Sequence, residues 1–302
     1  MGEGLAAIGV ALAGQLPAAA SPIERLTSAL RAGPVTPAVP ALYSDLVVAL
    51  RGRNEPLLRS ALDDAARLCL RAFPSSLEPV TIADEDLGSG IAARYAEHAS
   101  DDPDVPLRLL PLPPRSFSAA KSTLAGALSL MGNTDAGLLD EMRALVRQVV
   151  FAEGDTEAPP FGGATTFYLW GAIFINASLH PDPLTMATGL VHEAAHLLLL
   201  GSTMGKPLVE NDPSERYASP LRADPRPMDG VVHACFVLAR MHYLTRRIAR
   251  SATDLDRGEL DRLLDAYQQD FRIGDELIAK QARFTEVGRS VYLPARAYMQ
   301  SC

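Results

Sequence analysis

The feature that most restricts how this chain can fold is the stretch LTMATGLVHEAAHLLLLG, residues 184–201, in which two histidines and one glutamate are the only ionisable side chains. A segment apolar on nearly every face, ending at Gly201, predicts a buried helix with glycine at its C-terminus. Residues four apart share one face of a helix, so His192 and His196 can direct two imidazoles at one point, with Glu193 beside them. This is the HExxH spacing. One explanation is a pair of core histidines satisfied by backbone carbonyls. The other is a metal ion, and it is favoured because two imidazoles and a carboxylate in so apolar a helix would otherwise each need a buried partner.

Two imidazoles are an incomplete metal site, and a third protein ligand is expected, with positions left for substrate and water. The candidates are His180, in the turn-like SLHPDP before the motif helix, Glu210 in the following polar loop, Asp229 and His233. His233 fits that role best. It lies mid-helix in VVHACFVLARM, where an unpartnered imidazole is costly, and a helix at this distance after an HExxH helix is where zincin-like enzymes place their third ligand. His242, nine residues further on, is read as structural. Arg222 and Arg226, in SPLRADPRPMDG directly before the His233 helix, could grip a carboxylate in bidentate fashion, whether that of an anionic cosubstrate or of a peptide.

The expected fold is mainly α with a small β element: an HExxH helix packed with a second ligand-bearing helix. Helices are predicted over SPIERLTSALRAG (21–33), with Ser21 as N-cap and Pro22 at the first position, over LYSDLVVALRGR (42–53) and NEPLLRSALDDAARLCLRAF (54–73), near 88–98, and at 117–131 and 134–151. The Pro-rich DDPDVPLRLLPLPPRSFS (101–118) is expected to run extended. A boundary near residue 115 divides an N-terminal helical region, 1–115, from a catalytic region, 116–302, although the two could form one continuous domain. TTFYLWGAIFIN (165–176) is the predicted strand, with an edge that could accept an extended peptide. Helices are also expected over 227–250 and 259–284.

A net charge of -8 argues against nucleic acid or an anionic membrane as partner. The opening MGEGLAAIGVALAGQLPAAASP has the apolar run of a signal peptide but carries Glu3 where a positive n-region would stand. No uninterrupted apolar run reaches the roughly 18 residues of a membrane span. Cys69, Cys235 and Cys302 are odd in number and widely spaced, which suits neither a disulfide framework nor a cysteine metal site. A cytoplasmic protein is expected.

On GLVHEAAHLLLL (189–200), YASPLRADPRPMDGVVHACFVLARM (217–241) and, more weakly, FTEVGRSVYLPARAYM (284–299), the chain resembles the HExxH-motif peptide-modification proteins associated with ribosomally synthesised, post-translationally modified peptides (RiPPs). These stretches cover about a third of the sequence. The resemblance implies a zincin-like fold and an Fe(II)- and 2-oxoglutarate-dependent dioxygenase that β-hydroxylates side chains such as Asp or His in a precursor peptide. Motif chemistry alone would instead suggest a zinc metallopeptidase with Glu193 as general base. The two readings also differ in ligand set, since non-haem iron oxygenases ordinarily use two histidines and a carboxylate. With His233 as third ligand, Glu193 would become a proton-handling neighbour of an iron site.

Overall fold

A computed structural model describes residues 1–13, 17–33, 35–69, 77–99, 107–155, 161–221, 224–251 and 255–302. Among the described residues the chain is mainly helical, with a small mixed sheet, and it divides into two units. The first comprises Met1–Lys121 and Arg143–Leu179, the second Ser122–Met142 and His180–Cys302. The HExxH segment thus belongs to a unit that begins at Ser122 and excludes 143–179.

The first unit opens with α1 (Gly2–Ala13), α2 (Pro17–Ala32), α3 (Ala38–Gly52) and α4 (Glu55–Leu68). The apolar run that resembles a signal peptide is α1, and its Leu5, Ile8 and Leu12 are buried in this unit's core. Helix α2 starts earlier than its sequence suggests: Ser21 is no N-cap, and Pro22 lies inside the helix. Asn54 does cap α4, its side chain accepting the Leu57 N–H at 3.1 Å. Beyond β1 (Glu78–Thr81), α5 (Asp84–Leu87) and α6 (Ile91–Glu97) comes β2 (Leu109–Pro111), in the Pro-rich stretch expected to run extended; residues 101–106 of that stretch lie outside the described residues, and from Pro114 it is already helix. Helices α7 (Pro114–Thr134) and α8 (Ala136–Leu145) follow.

The predicted helix over 134–151 ends early, because Arg147 and Gln148 donate their N–H groups to the carbonyl of Gly171 and begin a strand, β3 (Gln148–Gly154). Strands β4 (Gly163–Ala164) and β5 (Ala172–Asn176) complete a sheet ordered β1-β3-β5-β4, with β2 antiparallel to the end of β3. β1, β3 and β5 are parallel, and β4 is antiparallel to β5. The expectation of a peptide-accepting edge at 165–176 is therefore overturned. Only its last five residues form a strand, every one of them is buried, and both neighbouring positions in the sheet are taken. Among buried charges of this unit, Arg94 pairs with Asp45 and Asp64, and His98 lies 2.9 Å from Asp45.

In the second unit, α9 (Pro183–Thr203), α10 (Met228–Ser251), α11 (Arg257–Gln281) and α12 (Glu286–Gln300) pack with the 122–142 segment. α9 is the one described helix long and apolar enough to cross a membrane by length and composition, and 61% of its apolar window is buried inside the protein. It passes that test because Thr, Gly and neutral His do not interrupt it as charges would. α10 sits centrally, packing on α9, α11 and α12 through Val231, Val232, Cys235 and Leu238. Its outer side is tied to the 122–142 segment by Tyr243, whose hydroxyl donates to Asp135 at 2.7 Å, and by Arg240 on Glu141. The helix α12 has no counterpart among the sequence expectations.

A strap, Pro207–Val209, joins this unit's ends. The Leu208 carbonyl accepts the Thr285 N–H at 3.0 Å, Thr285 Oγ1 donates to the Pro207 carbonyl at 2.9 Å, and Val209 pairs with Phe284. Gly288, in the first turn of α12, lies so close that a Cβ there would overlap the Leu208 carbonyl group. Backbone against backbone cannot yield as a side chain can, so Gly288→Ala must displace the strap or the helix. A destabilisation of about 1–3 kcal/mol, the usual cost of overpacking, is expected by urea unfolding. An unchanged unfolding midpoint would show that this approach is not needed for stability.

Candidate metal centre

The motif helix is fixed first at its N-terminus. Asp182 is the N-cap, accepting the N–H groups of Leu184 at 2.8 Å and Thr185 at 3.0 Å, with the Thr185 hydroxyl completing a capping box and Pro183 in the first turn. The cap thus stands two residues after His180. The His180 ring instead lies against α9, its Nε2 2.5 Å from where a Cβ of Gly189 would stand. A mid-helix glycine costs helix stability, and here it makes room for an imidazole on the face that, three and four residues on, carries His192 and Glu193.

His192 and His196 meet as the helical repeat requires, Nε2 to Nε2 at 3.3 Å. Burial lowers the His192 pKa to about 4, helped by the charge of nearby His180. Burial likewise holds His196 well below the imidazole range, and His192 and His233 push it further. Both rings are therefore neutral near pH 7, each with a nitrogen lone pair to offer. Their separation is long for a hydrogen bond, and it matches the spacing of about 3.3 Å between two imidazole nitrogens each about 2.0–2.1 Å from one tetrahedral zinc ion. The pair fits a metal.

Glu193 is buried, its Oε1 3.8 Å from His192 Nε2. From α10, the His233 ring stacks on that of His196 with centroids 6.0 Å apart and planes inclined by 29°. Its Nε2 lies 3.2 Å from Asp229 Oδ2, one helical turn back. Among the described residues, no three His, Cys, Asp or Glu side chains converge closely enough to hold an ion as they stand. Two imidazoles face each other, and the ring of a third stacks on one of them.

The other candidates are deployed differently. Glu210 is exposed, and its backbone N–H is bonded to the Arg283 carbonyl at 2.6 Å. Asp212 uses its carboxylate to accept the N–H and hydroxyl of Ser214. Asp229 accepts the Leu208 N–H on Oδ1 at 2.9 Å. Its burial alone would raise its pKa, but the contact and charge of His233, with the Leu208 hydrogen bond, outweigh this and leave it lowered. His242 is buried, Nδ1 2.9 Å from the Tyr298 hydroxyl, in keeping with a packing role. Arg222 lies outside the described residues. Arg226 is half-buried beside Asp224, Nε to Oδ2 at 3.2 Å, and its backbone pairs with Tyr217 in an antiparallel bridge.

Sequence reasoning missed two features. The seat of His180 is signalled only by Gly189, a glycine interrupting a helical pattern. The bond from Leu208 to Asp229 joins residues 21 apart across a loop and leaves no local trace. No protein-family model matches the chain, and comparison with curated proteins finds no relative either.

The depressed imidazole pKa values set a pH dependence. Free imidazole titrates near 6.5, so as the pH falls from about 6.5 towards about 4 the unfolded chain takes up protons that the folded one refuses. The contribution of these groups to stability is complete above that window and is lost within it. The urea midpoint of the metal-free protein should therefore drop between pH 7 and pH 5, and less steeply in His192→Gln. An identical drop in that variant would contradict the assignment.

Proposed function

We propose that the chain is a metal-dependent, peptide-modifying enzyme whose ion is held by His192, His196 and His233. The observation that supports this most is the pair of half-buried, neutral imidazoles with Nε2 atoms 3.3 Å apart, flanked by the His233 ring. The helix pair α9 and α10 suits the zincin-like arrangement that the motifs imply. With the resemblance to the RiPP-associated family added, the reading becomes an Fe(II)/2-oxoglutarate-dependent hydroxylase acting on side chains of a ribosomally made precursor peptide in the cytoplasm. That chemistry rests on the resemblance, which the comparisons leave without further support.

When bound, the ion would supply open coordination positions and the activation of oxygen together with 2-oxoglutarate. The protein's own part is to hold the His192 and His196 imidazoles neutral by partial desolvation and to accept or return protons at Glu193 Oε1. A dicarboxylate would be held by Arg226, which must exchange its contact with Asp224 for a cosubstrate carboxylate, and by Arg222. Lysine in place of either keeps the charge but not the fork.

A second reading has its own supporting observation. Glu193 is buried within 3.8 Å of His192, the place of a general base in an HExxH zinc metallopeptidase. The products separate the two. Incubated anaerobically with Fe(II) and then with 2-oxoglutarate, oxygen and a precursor peptide, the protein should leave the peptide intact and heavier by about 16 Da, one oxygen atom, in a mass spectrum. Peptide fragments formed with zinc and water alone would reject the hydroxylase and establish the peptidase.

A further inference from the structure

His233 makes its closest polar contact with Asp229, and that carboxylate is itself held. Asp229 Oδ1 accepts the Leu208 N–H at 2.9 Å, while Oδ2 faces His233 Nε2 at 3.2 Å. Leu208 in turn is fixed from the far end of the chain, its carbonyl bound by Thr285 and its backbone packed on Gly288. A carboxylate so placed can only accept, so the imidazole nitrogen facing it carries the proton. The lone pair of His233 is then on Nδ1.

We propose that Asp229 is the positioning residue of the third imidazole: it fixes His233 as the Nε2–H tautomer and so selects Nδ1 as the atom that His233 offers to the ion. This rests on the metal-centre reading above and deepens it. A carboxylate behind a metal-bound histidine both orients the ring and raises its basicity, and loss of such a partner typically lowers metal affinity about 10- to 100-fold. Asp229 is also the carboxylate that could have served as third ligand itself. The strap assigns it a different task, because one oxygen is bound to the Leu208 amide and the other faces His233.

Two measurements test this without relying on turnover. Long-range 1H–15N correlation on the metal-free, histidine-labelled full chain at pH 7.5, with His233→Ala giving the assignment, should show His233 protonated on Nε2. The Nδ1–H tautomer would overturn the proposal. Co(II) titration against a competing chelator should give one ion per wild-type chain. In Asp229→Asn, which keeps an oxygen for Leu208 but loses the charge, affinity should fall about 10- to 100-fold, with a changed Co(II) absorption spectrum. Unchanged affinity and spectrum in Asp229→Asn would overturn the positioning role while leaving the metal centre standing. If Asp229→Asn abolishes binding and His233→Ala does not, Asp229 is the ligand and the proposal is wrong. No Co(II) bound by the wild type would reject the metal centre itself, a separate outcome because the tautomer is read without metal.

Discussion

The facing of two half-buried imidazoles four residues apart on α9 is the constraint around which the second unit is arranged. An apolar helix cannot carry two positive rings in its interior, and burial holds both neutral, His192 down to about 4 and His196 well below its ordinary value. Two neutral imidazoles facing each other at 3.3 Å gain little from one another and much from a cation between them. The surrounding structure keeps them there. Asp182 fixes the start of α9, Gly189 admits the ring of His180, and α10 brings His233 against His196. The cost of holding polar groups in this way is a helix apolar enough to resemble a membrane span.

The third imidazole is positioned over a longer route through the sequence. Gly288 and Thr285 fix Leu208, Leu208 fixes Asp229, and Asp229 faces His233. On the proposed assignment, helix α12 would contribute to the centre without supplying a side chain to it. Both Thr285 and Gly288 lie in the segment FTEVGRSVYLPARAYM. The first unit, with its parallel β1, β3 and β5 and its buried Asp45–Arg94–Asp64 group, is built on a different logic, in which β5 and most of β3 are buried on both faces.

What the sequence made legible was local. The spacing of His192 and His196 needs only the pitch of one helix, and α4, α9, α10 and α11 are written in periodicity and end signals within each segment. What it hid was non-local. QVVFAEG continues an apolar pattern that reads as helix until the Gly171 carbonyl, 23 residues away from Gln148, takes its N–H. The strand at 165–176 shrank to Ala172–Asn176 and moved from an edge to the interior because β4 pairs with it. Ser21 and Pro22 carry a start signal that the residues before them override. Arg226 looked available because nothing in SPLRADPRPMDG shows that its side chain turns to Asp224, its neighbour but one.

The central claim is that His192, His196 and His233 hold one ion. Its most direct test is metal content by mass spectrometry of the native protein, loaded anaerobically with Fe(II) and separately with Zn(II), for the wild type and each His→Ala variant. One ion per wild-type chain, with binding sharply reduced in all three variants, is the predicted result. A wild type that binds no ion, or a His196→Ala variant that binds as the wild type does, would contradict it.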